Sequence, residues 1–458
     1  MSIWPGRRGS TAKASSGKNE KAHSRALGLA EARLRPHMGA MTAAEDTLTV
    51  NLGCRLNASE TEAMARFADA QNAGPAPVIV NTCAVTKEAV RQSRQAIRRM
   101  AKRHPGRPVI VTGCAAELEP EAFEAMPEVT RRIPNARKLD PEQWTRPAAE
   151  RPAPRNIDIR APLAVQNGCD HRCTFCIIPY GRGDARSTPI AEAVRMAQDL
   201  VDRGAEEVVL TGVDLTSWGP DLDPALRLGH LVEALDAALP GRVSIRLSSI
   251  DGAEIDERLF RLLTEVERIA PYAHLSLQSG DDMILKRMKR RHSRGQAVTL
   301  CERLKAARPE MAFGADLIAG FPTETEVMFE NSLRLIENCG LAFVHVFPFS
   351  PRTGTPAARM PQLPREIVKA RAARMREAAD EALMRHLSRL LGVCRPALIE
   401  EIKPDGPRAR LMDFTPVRLA PAPHLLPGRR VTVHLRERDG QGLFAVEDGT
   451  TLKENSLG

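Results

Sequence analysis

The sequence predicts an α/β protein of several domains: an open α/β domain first, a longer series of parallel strands with crossover helices next, and a small β-barrel last. Three observations carry this. Between Leu48 and Glu117, an apolar run ending in a Gly- or Cys-containing turn and leading into a helical stretch occurs three times, the pattern that builds parallel sheets. From Pro162 to about Pro361 the alternation resumes, with EEVVLTGVD, VSIRLSSID, AHLSLQSG, MAFGADLIAGFP and AFVHVFPFS each closing on a polar or glycine-rich turn. After the helical pattern that follows Pro364, CRPALIEEI, ARLMDFTPVRLA, RRVTVHLRERD and LFAVED read as short alternating strands. A length of 458 residues suits two or three domains.

Residues 1–45 are rich in Gly, Ser, Ala and Arg, lack hydrophobic periodicity, and read as a disordered basic extension. An Arg- and Ser-rich, acid-poor start also fits a transit peptide, and Met41 fits an alternative start. Arg7, Arg8, Lys13, Lys18, Lys21, Arg25, Arg33 and Arg35 stand against Glu20 and Glu31, which accounts for +6 of the net charge of +9. Local patches, not the overall balance, therefore bear on nucleic-acid binding. No apolar run is long enough to span a bilayer. Nine cysteines without a secretory signal fit a reducing, cytoplasmic setting.

LTVNLGCRLN reads as a strand ending at a Gly-Cys loop, and SETEAMARFADA as a helix opened by Ser59 with Glu62 three residues on. VIVNTCAVT, followed by a basic helix, and VIVTGCAAE repeat the pattern, so Cys54, Cys83 and Cys114 each fall at the carboxyl end of a strand. That edge is where open α/β sheets bind ligands. One such cysteine would read as a small buried hydrophobe; three in one context point to an iron-sulfur cluster with three protein ligands. Residues 139–161 are proline-rich and aperiodic. The expected division is 46–145 for the first domain, 146–161 for the linker, 162–388 for the core and 389–455 for the β domain.

Cys169, Cys173 and Cys176 form a C-x3-C-x2-C run after the apolar segment LAVQNGC. Iron-sulfur clusters usually take four thiolates, so three from one loop leave an iron open to a further ligand. A zinc knuckle with His171 as fourth ligand is the competing reading, but zinc sites generally pair two separated ligand pairs and no such partner segment follows. No Ser-His-Asp arrangement, GxxxxGK loop or HExxH motif competes.

GCDHRCTFC followed by Ile-Ile-Pro resembles the radical S-adenosylmethionine (SAM) superfamily, and NLGCRLN, NTCAVT and TGCAAE ahead of it resemble the methylthiotransferase family within it, from about Leu48 to the C-terminus. The resemblance implies an incomplete (β/α) barrel, SAM and two [4Fe-4S] clusters, one on Cys169, Cys173 and Cys176 and an auxiliary one on Cys54, Cys83 and Cys114. It assigns the strand-end residues Gly212, Asp214, Arg246, Ser248, Ser249, Gln278, Ser279, Gly320 and Pro322 to the SAM pocket. NTCAVT is most similar to the branch acting on N6-threonylcarbamoyladenosine at tRNA position 37. The implied partners are a tRNA anticodon stem-loop and a flavodoxin- or ferredoxin-type electron donor. The C-terminal barrel resembles the RNA-binding TRAM type, although residues 391–458 hold ten Lys/Arg against nine Asp/Glu with few aromatics, a composition that fits a structural module.

Three basic runs stand near the cysteine loops: Lys87 to Arg107, Lys286 to Arg294, and Arg182 with Arg186. Their position favours phosphate contacts. The C2–H bond of adenine is out of reach of ordinary side chains, which is why radical chemistry is needed, and the base would have to leave its stack. The expected activity is therefore methylthiolation of that adenine. The alternatives are an isopentenyladenosine tRNA or a ribosomal-protein aspartate as substrate, and a non-enzymatic iron-sulfur RNA-binding or sensor protein.

Overall fold

A computed structural model describes residues 47–69, 75–144, 158–440 and 442–448; the extension at 1–45 and most of the stretch read as linker lie outside them. The first sheet is parallel, in the order β1 (Leu48–Asn51), β2 (Val78–Thr82), β3 (Val109–Gly113) and β4 (Arg131–Arg132). Val50, Val78, Val80, Val109 and Val111 bury one core against the helices that follow. Helix α1 (Arg55–Asp69) starts at the cysteine loop itself, four residues before the expected Ser59. Asn57 ties that turn together, donating to the carbonyls of Leu52 and Thr82. Helix α2 (Lys87–Arg103) begins at a true cap, Thr86, whose side chain accepts from the backbone N–H of Ala89.

The core comprises β5 (Arg160–Ala164), β8 (Glu207–Thr211), β9 (Ser244–Leu247), β10 (Ser249–Ile250), β11 (Tyr272–Gln278), β12 (Ala312–Ala319) and β13 (Leu341–Pro348), and the pair β6 (Gln166–Asn167) and β7 (Arg186–Ser187) forms a small hairpin beside it. All neighbouring core strands are parallel, and β9 and β10 are one strand interrupted at Ser248. This is the incomplete barrel. Its first strand starts at Arg160, two residues inside the stretch expected to be linker. Because strand side chains alternate, Val208, Leu210, Ile245, Leu247, Ala273, Leu275, Ala315 and Leu317 pack outward under the crossover helices. Glu207, Arg246, Tyr272, His274 and Asp316 take the inner face.

The last domain is a closed barrel of β14 (Cys394–Lys403), β15 (Gly406–Leu411), β16 (Pro416–Leu419), β18 (Gly442–Glu447) and β17 (Arg430–Asp439), in that order. Its β15–β16 turn reaches beneath the core. The Met412 carbonyl accepts from Arg246 Nη2 at 2.9 Å, and Phe414, held at φ 80°, stacks on Tyr272 with centroids 5.0 Å apart. Arg160 spans the same junction, donating to Glu207 at 2.6 Å and to Glu400 at 3.0 Å.

The N-terminal domain is locked to the core by charge. Glu60 on α1 is 1% exposed and accepts from Lys138 Nζ at 2.5 Å and from Arg182 Nη1 at 2.8 Å. Arg182 therefore bridges domains and does not face RNA phosphate, which corrects the expectation for that residue. Breaking a buried pair from one side strands a charge and costs about 3–5 kcal/mol. Arg182→Leu and Glu60→Gln should each lower the urea midpoint of the apo protein accordingly; an unchanged midpoint in both would reject this account.

Candidate active site

Both cysteine triplets sit where turns follow strands. Cys54 follows β1, Cys83 follows β2 and Cys114 follows β3, so pairing of the three strands brings the thiols side by side. Gly53 has φ 108°, and a Cβ there would fall 2.8 Å from Cys83 Sγ. Only glycine leaves that cradle open. Cys169, Cys173 and Cys176 line one loop between β6 and helix α3 (Ile178–Arg182).

The two loops share a wall. Ile177, next to Cys176, is buried in the same hydrophobic core as Cys114. A Cβ on Gly181 would lie 3.7 Å from Cys114 Cβ, and the Gly181 carbonyl accepts from Asn135 Nδ2 at 2.6 Å.

Polar groups flank the second triplet on two sides and an apolar cluster on a third. Asp214 Oδ2 lies 3.6 Å from Cys169 Sγ and receives Ser217 Oγ at 2.7 Å and His171 Nε2 at 3.0 Å. Burial alone would raise the Asp214 pKa, but those hydrogen bonds outweigh it and hold the carboxyl below its ordinary value. Asp214 and Glu254 in turn raise His171 from 6.5 to about 9. His171 is thus committed to carboxylates, not to the cysteines, which argues against the zinc knuckle on this loop. On the next side, Arg290 donates to Cys173 Sγ at 3.6 Å, to Asp251 at 2.9 Å and to the Ser276 carbonyl at 2.7 Å. On the third, Phe175 packs with Phe321 and Ile318.

The predicted pocket residues divide. Gly212 and Asp214 face Gln166, whose Oε1 accepts from the Asp214 N–H at 2.9 Å, and a Cβ on Gly212 would strike that Oε1 at 2.8 Å. Gln278 ends β11 at φ 69°, beyond a register shift in the β11–β12 pairing, a strained conformation of the kind that collects at functional sites. Ser249 Oγ meets Ser276 Oγ at 3.2 Å, while the buried Ser248 Oγ has no partner among the described residues. Gly320, at φ 76°, and Pro322 form the turn around Phe321, closed by Glu324 accepting from the Gly320 N–H at 3.0 Å. Two of these assignments need correction. Arg246 lies within β9, and Glu207 engages it at 2.8 and 2.9 Å on the inner barrel floor, away from the strand-end loops. Ser279 is buried and turns toward Ser332 at 3.2 Å, serving helix packing. Sequence reading missed Ser217, Asp251 and Glu254, which become neighbours of the loop only through the barrel.

The donor set fits clusters better than single ions. Tetrahedral zinc with Zn–S near 2.3 Å would bring its sulfurs to roughly 3.8 Å of one another. Among the described residues, the trios of donors that all lie within 4.8 Å are His274, Asp316, His345 and His171, Asp214, Glu254; neither cysteine triplet is that tight. Burial pushes the Cys83 and Cys176 thiols up to about 12. Iron would reverse that, since ligation requires thiolates.

Of the basic runs, Lys286 to Arg294 engages its arginines within the chain, Arg287 on Thr323, Arg290 on Asp251, Arg291 on Glu254 and Asp251, and Arg294 on Asn338, while Lys286 and Lys289 are exposed. That corrects the reading of its arginines as phosphate ligands. On α2, by contrast, Arg98, Arg99, Lys102 and Arg103 are exposed and make no ion pair among the described residues.

Residues 163–336 match the radical SAM superfamily, and residues 47–133 match the uncharacterized protein family UPF0004. The chain is 45% identical over 385 residues, 81% of its length and 90% of the relative's, to the threonylcarbamoyladenosine tRNA methylthiotransferase MtaB of Rickettsia prowazekii. The chain belongs to the radical SAM methylthiotransferase family, in its MtaB branch. The MtaB protein of Chlamydia pneumoniae is 35% identical over 77% of this chain and 86% of that one. A tRNA-2-methylthio-N(6)-dimethylallyladenosine synthase of Erythrobacter litoralis is 35% identical over 72% of this chain and 81% of that one. Radical SAM proteins are SAM and [4Fe-4S] enzymes, and no helix among the described residues is long and apolar enough to cross a membrane.

Two outcomes are expected. Replacing Cys169, Cys173 and Cys176 with Ala should drop iron in the anaerobically reconstituted protein from about eight to about four per chain, and the Cys54, Cys83, Cys114 triple variant should do the same; loss of all iron in either would deny independent sites. In the apo protein, protonated His171 contributes stability that is complete below pH 6.5 and lost as pH rises through about 9. Its imidazole NMR signals should titrate near pH 9 and shift toward 6.5 in Asp214→Asn; a parent value near 6.5 would refute the coupling.

Proposed function

We propose that this chain methylthiolates C2 of N6-threonylcarbamoyladenosine at position 37 of tRNA, in the cytoplasm. The observation that carries this reading is the shared wall between the two cysteine loops, Ile177 and Gly181 against Cys114, in a chain whose Rickettsia prowazekii relative, at 45% identity, bears that name. Cys169, Cys173 and Cys176 would hold the SAM-binding cluster, and Cys54, Cys83 and Cys114 the auxiliary one. When bound, these groups supply one electron to SAM, a radical strong enough to take hydrogen from an unactivated carbon, and the sulfur to be methylated and inserted.

The chain's own residues position and shield. Gly212, Asp214, Ser248, Ser249, Gln278, Gly320 and Pro322 form the proposed SAM pocket; Gly212 lets its turn pack directly on Gln166, and Asp214 sets a carboxylate beside Cys169 that suits the SAM amino group. Arg290 ties the loop to β11 and offsets thiolate charge at Cys173. Proximity of the two loops lets one extruded base meet both without leaving the site. Tyr180, 55% exposed on α3, offers a stacking face beside both loops. The free face of α2 supports the anticodon stem-loop, and a flavodoxin- or ferredoxin-type protein is the proposed electron donor.

Nucleoside mass spectrometry of total tRNA with and without the gene tests the assignment. Loss of 2-methylthio-threonylcarbamoyladenosine with build-up of its precursor is expected; loss of an isopentenyl form, or an unchanged profile, would reject it. Changing Arg98, Arg99, Lys102 and Arg103 to Ala should weaken tRNA binding and flatten its log–log salt dependence by about 0.7–0.9 for each phosphate no longer neutralised.

A further inference from the structure

Four guanidinium groups surround one phenyl ring on the barrel floor: Arg55, Arg160, Arg246 and Arg410, at 5.3, 5.2, 5.5 and 4.4 Å from the Phe414 centroid. Two carboxylates answer them. Glu207 pairs with Arg160 and Arg246, and Glu400 with Arg160 and Arg410. Arg55 makes no ion pair among the described residues. A further carboxylate of the inner face, Asp316, is taken by His274 at 3.0 Å and His345 at 3.2 Å. Even with Asp316 counted, these four guanidinium groups outnumber the three carboxylates by one. Arg246 is 1% exposed, and its Nη1, like Nη2 of Arg160, is buried without a hydrogen-bond partner among the described residues. Arg55 itself is exposed, so an anion from outside can reach the cation that the floor leaves over.

The location adds a second argument. Arg55 is the first residue of α1, where a cation opposes the helix dipole, and it directly follows Cys54. In adenine, C2 and C6 flank N1, so the N6 substituent leaves the ring on the same edge as C2. A base that presents C2 to the auxiliary cysteines has its N6 arm on the same edge, within reach of a long side chain such as Arg55, which follows Cys54 directly. Phe414 and Tyr272 stack behind that spot, so the arm would meet a rigid surface.

We propose that Arg55, backed by Phe414, binds the carboxylate of the threonylcarbamoyl arm and selects this base over adenines with an apolar N6 substituent. The inference rests on the substrate reading above. The test uses anaerobically reconstituted full-length protein and two anticodon stem-loop oligonucleotides, one with the threonylcarbamoyl acid and one with its uncharged carboxamide. Parent protein should bind the acid about 10- to 100-fold more tightly by fluorescence anisotropy, the range expected of a charge-assisted bond. Arg55→Gln should abolish that preference with iron content, melting temperature and tRNA-independent SAM cleavage unchanged, and Arg55→Lys should restore part of it. Equal binding of acid and carboxamide by the parent, or equal loss for both in Arg55→Gln, would overturn the proposal. Methylthiolation of an isopentenyl stem-loop by the parent in place of the acid would instead overturn the substrate reading, and this inference with it.

Discussion

The arrangement depends on one buried ionic knot. Glu60 from α1, Lys138 from the end of the first domain and Arg182 from α3, the helix after the second cysteine loop, meet where water is excluded. Opposing cations hold the Glu60 carboxyl below its ordinary pKa although burial alone would raise it. Arg182 also bonds Asn57, which tethers the Cys54 turn, and Asn167, which leads into Cys169. Two cofactor loops from different domains are thereby held in one frame. Such a pair stabilises little against an apolar replacement, yet it specifies registry, because misplacing any member leaves a bare charge.

A second constraint works from below. The C-terminal barrel inserts Met412 to Thr415 under the core, and its closed sheet, balanced charge and few aromatics suit a structural part. An incomplete barrel leaves an inner face that strands alone cannot seal, and the Phe414 turn seals it at a φ that favours glycine, a strain that packing on Tyr272 and four guanidinium groups offsets. The floor of the chamber and the last domain are thus one object.

The contrast between the basic runs shows why charge in a sequence is a weak guide. Arg182, Arg290 and Arg291 looked like phosphate ligands and serve as internal ties, whereas Arg98 and Arg99 of α2 stay in solvent. The difference is the acid each meets in space: Glu60, Asp251 and Glu254 lie far away in the chain and close only through the fold.

Both cysteine triplets, the parallel alternation and the final β-barrel were legible in the sequence, because each is written in local spacing: C-x3-C-x2-C within one loop, one cysteine after each of three strands, and a change of hydrophobic period near residue 390. Glycines at 212 and 320 were legible for the same reason, as turns after apolar runs. What the sequence could not decide was direction. Arg246 and Ser279 stand beside strand ends in the text, but strand alternation turns the first to the floor and helix packing turns the second outward. The partners of Arg55, Glu60 and His171 come from segments tens to hundreds of residues away, and only the tertiary structure decides them, since a buried charge takes its role from whichever opposite charge, or lack of one, the packing leaves within reach.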